Sequence, residues 1–162
     1  MSKLKNFATA SLLGLLALCW LPASAQLADK KTLTLEAAKK LVAAAETEAI
    51  KNKWNVVIVI VDDGGHLIYL QRMDGTQTGS VDVAIKKAQT AIAFKRPTKV
   101  FEDAVAGGRQ VILALSGALP IEGGIPITVG NQIIGAIGVS GVKSNEDGQI
   151  AKAGADAAAG LN

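Results

Sequence analysis

The chain has 162 residues, with 17 basic and 14 acidic side chains and a formal charge of +3, and no basic cluster with interleaved aromatics runs through it. Composition therefore gives no argument for nucleic-acid binding. One cysteine, Cys19, and one histidine, His66, exclude an internal disulfide framework and a cysteine-based zinc site, and the few aromatics leave the core to Val, Ile, Leu and Ala.

The N-terminus separates from the rest on composition. Lys3 and Lys5 precede an apolar run from Phe7 to Leu21 that ends in Pro22-Ala23-Ser24-Ala25, the charged, apolar and small-residue zones of a signal peptide. Cleavage is expected between Ala25 and Gln26. The run is shorter than the roughly 20 apolar residues of a membrane span, and bulky Leu18 before Cys19 argues against a lipoprotein anchor, so a periplasmic or secreted protein without a stable membrane anchor is expected. Processing would remove Lys3, Lys5 and Cys19, leaving 15 basic against 14 acidic side chains in residues 26–162, a single domain.

Thr34 to Asn52 reads as an amphipathic helix with Thr34 as N-cap and Leu35, Ala38, Leu41, Val42, Ala45 and Ala49 on one face. Val56 to Val61 is a β-branched run too short for a helix. Asp62-Asp63-Gly64-Gly65 turns it into a second strand from His66 to about Arg72. Ser80 starts a second helix, with Val81, Ala84, Ile85, Ala88 and Ile92 as its stripe and Pro97 ending it; a short third runs from about Lys99 to Ala106. Val111 to Leu115 reads as a strand. Ile125 to Val129 and Gln132 to Val139 form a hairpin across Gly130-Asn131. Ser144 caps a last helix with Asp147 at its third position and an alanine-rich tail that must pack closely. The order α-β-β-α-α-β-β-β-α predicts an α+β fold with an antiparallel five-stranded sheet and flanking helices.

His66, the only imidazole, follows the glycine turn where a strand begins. Neutral imidazole is a good axial ligand for haem iron; the other reading is a histidine satisfied by the Asp62 or Asp63 carboxylate. Arg72 and Asp74 form either a ligand clamp or a local ion pair. Equal parity puts His66 and Arg72 on one strand face, roughly 20 Å apart, so they cannot grip one small molecule within a subunit; a large planar ligand or a neighbouring subunit would bring both into play. Lys87 lies off its helix's main stripe, either solvated or pairing an anionic ligand group such as a haem propionate. Gly123-Gly124 lacks the context of a phosphate cradle and reads as close backbone packing or as pocket lining. No catalytic constellation emerges: adjacent Asp62 and Asp63 point apart in extended chain, and no nucleophile elbow is present.

Val61-Asp62-Asp63-Gly64-Gly65-His66-Leu67, Gln71-Arg72-Met73-Asp74-Gly75, Ser80 and Lys87-Ala88-Gln89-Thr90-Ala91 together resemble the GlcG/HbpS-like family. Gly123-Gly124-Ile125-Pro126, Gly135-Ala136-Ile137-Gly138-Val139-Ser140-Gly141, Asp147 and Ala153-Gly154 continue the match in order from about Leu33. The resemblance implies a profilin-like fold and assembly into homo-oligomers. Some members bind haem, and a related domain ends certain PduO-type cobalamin adenosyltransferases, which makes haem the first candidate ligand and a corrinoid the second. The family pattern matches at the Gly-Gly-His segment, Arg72, Asp74 and Lys87. An exported small-ligand-binding protein is thus expected, with a haem-binding or haem-sensing role first. The alternative is an enzyme or accessory protein of small-molecule catabolism whose pocket lies at a subunit interface.

Overall fold

The computed structural model describes residues 27–161; the expected signal peptide and its cleavage point lie outside the described residues. Helix α1 (Leu35–Lys51) starts at Thr34, whose Oγ1 accepts the Ala37 N–H at 3.1 Å and satisfies an otherwise orphaned donor. Ala38, Leu41, Val42, Ala45 and Ala49 are buried as their spacing requires, while Leu35 is left half exposed at the first turn.

Strands β1 (Val57–Asp62) and β2 (Leu67–Arg72) form one hairpin, and β3 (Gly124–Val129) and β4 (Gln132–Ser140) the other. They assemble in the order β2-β1-β4-β3, antiparallel throughout. Central β1 is buried on both faces, which is why its sequence runs apolar instead of alternating. Val56, Ile58 and Ile60 meet α1 and helix α4 (Ser144–Asp156), whereas Val57, Val59 and Val61 meet Ala84, Ala88, Ala91 and Ile92 of α2 (Ser80–Phe94). Two thin apolar layers thus flank one sheet.

Helix α2 lies close against the sheet. A Cβ at Gly138 would run into the Ala84 carbonyl and the Ala88 amide, and one at Gly124 into the Lys87 carbonyl. Glycine is required there for space. The helix ends at Phe94 because Lys95 turns left-handed (φ 51°), its N–H and that of Arg96 donating to Ile92 and Ala91; the chain has therefore left the helix before Pro97.

The expected fifth strand is absent. Val111 to Leu115 falls on a 3-10 turn, Gln110–Ala114, between helix α3 (Lys99–Ala106) and β3. Left-handed Gly108 and Gly117 bracket the segment and fold it onto itself, so the β-branched propensity of Val111 and Ile112 is not expressed as pairing with either edge of the sheet. The sheet has four strands. Ser144 also differs from expectation: Lys143 is the N-cap, and Glu146, not Asp147, reaches back to the cap amide at 3.1 Å.

Asp147 instead turns inward. Its Oδ2 lies 2.7 Å from Lys87 Nζ, which also donates to the Val139 carbonyl at 3.0 Å, and its Oδ1 accepts the Val142 N–H at 3.2 Å. Lys87 is 1% exposed and Asp147 2%. Burial pushes the Asp147 carboxyl above the ordinary aspartate value, and the Lys87 ammonium pulls it back only in part. Removing either partner strands the other charge, so Lys87→Met and Asp147→Leu alone should each cost about 3–5 kcal/mol, and the double substitution much less than their sum. Denaturant unfolding of the four proteins tests this, and additive costs would contradict it.

Candidate functional site

The β1–β2 turn is built by one carboxylate. Asp62 Oδ1 accepts the N–H groups of Gly64 and His66, both at 2.8 Å, and the Asp62 N–H donates to the His66 carbonyl at 2.9 Å. The His66 amide, with that of Gly64, holds the Asp62 carboxyl below the usual aspartate value against the opposing effect of partial burial. His66 Nδ1 sits 3.3 Å from both carboxylate oxygens, while its side chain is 82% exposed. Asp63 points away and pairs with Lys30, so the two carboxylates form no acid–base pair, as their adjacency implies. From the other side, Gln89 of α2 donates to the Gly65 carbonyl at 3.3 Å.

The strand that follows carries a bulge. Ile60 pairs with Tyr69 but Val61 with Leu67, leaving Ile68 as the extra residue. The parity argument that set His66 and Arg72 on one face fails across it. In the observed register Leu67, Leu70 and Arg72 oppose Val61, Val59 and Val57 and so belong to the α2 face, whereas Tyr69 and Gln71 oppose Ile60 and Ile58 and belong to the α1 face. Gln71 accordingly donates to Glu46 of α1 at 2.5 Å. Because β2 is an edge strand, Leu67, Leu70 and Arg72 form a shelf beside the partly buried Val81 and Ile85 of α2. Arg72 and Asp74 are both exposed, and no ion pair joins them among the described residues.

Three expected site residues lie elsewhere. Lys87 is committed to Asp147 inside the fold, contrary to a solvated lysine and to an open anion-binding group; an apolar-stripe reading cannot see a charge whose partner sits 60 residues away. Gly123 and Gly124 are buried beside it. Gly123 has φ +127°, and its carbonyl accepts the Val139 amide at 2.8 Å. Gly124 exchanges hydrogen bonds with Thr98, its N–H donating to Thr98 Oγ1 and its carbonyl accepting from the Thr98 N–H, both at 2.9 Å. They are internal spacers. Sequence reasoning missed Asp147 as the partner of Lys87, and its position in the first turn of a helix gave a plausible competing role.

Open clefts among the described residues include ones of about 540 Å³ and 560 Å³. The first lies between Lys31–Thr34, the start of α1 and Leu161; the second lies between β3 and the end of α4. Neither is lined by His66, Arg72 or Asp74. The imidazole stands exposed at the β1–β2 turn. No helix among the described residues is long and apolar enough to cross a membrane.

A family model described as "Haem degrading protein HbpS-like" matches residues 33–156. The chain belongs to this family. It is 42% identical over 111 residues to Protein GlcG of Escherichia coli strain K12, covering 68% of this chain and 83% of that protein. Its fold is similar to a crystal structure of a double mutant of Streptomyces reticuli HbpS, with TM-score 0.72 and 34% identity over 84% of this chain and 95% of the other. It is also similar to a crystal structure of a PduOC complex with haem, with TM-score 0.71 and 30% identity over 78% and 95%. The solved structures of similar fold thus include one with haem bound, and the α+β sheet-and-helix architecture is shared with HbpS itself.

Proposed function

We infer that the protein binds haem at the exposed β1–β2 edge, with His66 as the iron ligand, and that Arg72, set on the other strand face by the bulge, meets a propionate of a haem held by a neighbouring subunit. The observation that carries this reading is that the chain's only imidazole is 82% exposed, with Nε2 making no hydrogen bond among the described residues. Iron in a porphyrin takes such a nitrogen as an axial ligand. The surrounding groups fit the rest of the molecule: Leu67, Leu70 and Ile85 offer apolar contact for a ring, and a guanidinium suits a carboxylate. The family description and the haem-bound relative support the same ligand. A corrinoid is the second candidate, and Lys87 enters only through the fold. Met73, half-buried against the α1-side core, is the one other sulfur or imidazole donor in residues 26–162.

His66→Ala should shift the Soret band and weaken ferrous haem most, whereas Arg72→Ala should weaken binding without changing the shape of the spectrum. Absorption titration checks both. An unchanged spectrum in His66→Ala would remove it as the ligand, and no haem binding by the parent protein would promote the small-molecule catabolic alternative.

An imidazole this exposed needs a second surface to enclose a large ligand, so the reading includes a homo-oligomer. Val111 and Leu113, 67% and 61% exposed, stand with Val100, Leu115 and Ile121 on a stretch whose only charge between Ala104 and Ile121 is Arg109. Such clusters of exposed apolar residues support a buried interface. Light scattering should give a mass several times the monomer's, and Val111→Asp with Leu113→Asp should lower it; a parent monomer at all concentrations would count against any shared site.

Export is the last part of the proposal, supported by the three zones of residues 1–25. Intact-mass analysis of the mature protein should place Gln26 at its N-terminus, and a retained Met1 would contradict it.

A further inference from the structure

The two glycines of the Asp62–His66 turn do different work. Gly65 has φ +84°, a conformation the turn needs and other residues resist. Gly64 has no such requirement, but a Cβ there would stand 2.8 Å from His66 Nδ1 and 2.9 Å from Cε1. Gly64 is glycine so that the imidazole can lie over it, against Asp62. The Asp62 carboxylate cannot rotate away, because Oδ1 is pinned by two backbone N–H groups at 2.8 Å. Those two bonds suffice to build the turn. The additional contact to an exposed imidazole contributes little to stability, so it calls for another explanation.

We propose that Asp62 and Gly64 are positioning residues, holding His66 in the tautomer with its proton on Nδ1 and its free lone pair on Nε2, aimed at a metal centre outside the subunit. An ionised carboxylate only accepts hydrogen bonds, so the ring nitrogen facing it carries the proton. The same carboxylate makes the outward nitrogen a better donor to a metal, the arrangement found behind metal-ligating histidines generally. The proposal deepens the reading of His66 as a haem ligand and rests on it for the identity of the metal, but not for the orientation of the ring.

Asp62→Asn separates the two functions of the carboxylate. The amide oxygen keeps both turn hydrogen bonds, while the amide NH₂ takes the Oδ2 place and donates to Nδ1, which shifts the balance toward a proton on Nε2 and a closed lone pair. Gly64→Ala leaves both groups in place and pushes the ring off Asp62. In ¹⁵N-labelled protein without haem, at alkaline pH, long-range ¹H–¹⁵N spectra should show the Nδ1–H form in the parent protein. Both variants should move toward Nε2–H, with Gly64→Ala carrying the comparison if Asp62→Asn fails to fold. Ferric haem should then bind about tenfold to a hundredfold more weakly to both. A parent ring in the Nε2–H form, or a tautomer that neither variant changes, overturns the proposal. So does a changed tautomer with unchanged haem affinity and spectrum. An Nδ1–H ring in a parent protein that binds no haem upholds the positioning and overturns only the haem reading.

Discussion

The contact between the Lys87 ammonium and the Asp147 carboxylate fixes how the layers of this fold meet. Helices α2 and α4 cover opposite faces of the sheet, and the 2.7 Å ion pair joins them past the end of β4, with the Val139 carbonyl and the Val142 amide completing the shell. Neither charge is tolerable there alone, since the penalty for burying an unpaired ion is several kcal/mol. A pair of apolar residues of the same volume would fill that space without this penalty. What such residues would not provide is a single solution: α2 can slide on small alanines and glycines, but only one setting brings Nζ to Oδ2. The pair selects a register more than it adds stability.

That register decides what is left uncovered. With α2 lying over β1, β4 and β3, close enough that Gly138 and Gly124 admit no Cβ, the outer strand β2 projects beyond the helix. The bulge at Ile68 then turns Leu67 to the α2 side that Leu70 and Arg72 already face, while Tyr69 and Gln71 stay against α1. Without the extra residue, Leu67 would have moved to the opposite face, because side chains alternate with a period of two. The apolar shelf beside His66 is thus a joint product of a helix placed by a buried ion pair and a strand re-aimed by one inserted residue.

Local signals in the sequence were sufficient where the physics is local. The Thr34 cap, five of the six expected stripe residues of α1, the Gly130-Asn131 hairpin and the Asp-Asp-Gly-Gly turn depend on neighbours a few positions away, and each is found where the residues predict. The failures involve distant partners. Val111 to Leu115 has strand composition but no strand beside it, and whether a β-branched run pairs is settled by the sheet edge it can reach. Lys87 looked like a surface residue because nothing within one turn reveals Asp147. The candidate site divides in the same way. His66 and its carboxylate were legible from four consecutive turn residues, but the bulge that reorganises β2 follows from pairing with β1 and could not be counted from spacing.

An imidazole exposed at a sheet edge poses a thermodynamic question that an enclosed pocket does not. In the proposed complex a single subunit would give a planar ligand one axial nitrogen and one apolar flank, and would leave most of its surface in water, where apolar burial contributes little. On the proposed reading, a second subunit removes that surface from water and also covers exposed side chains such as Leu67, 53% exposed. Ligand and assembly then bury the same residues, so each strengthens the other by the same free energy, as linkage requires. The affinity of such a site depends on protein concentration until the oligomer is complete. A fixed ring matters more in that setting than in a pocket, because no surrounding wall orients the imidazole and the turn beneath it has to.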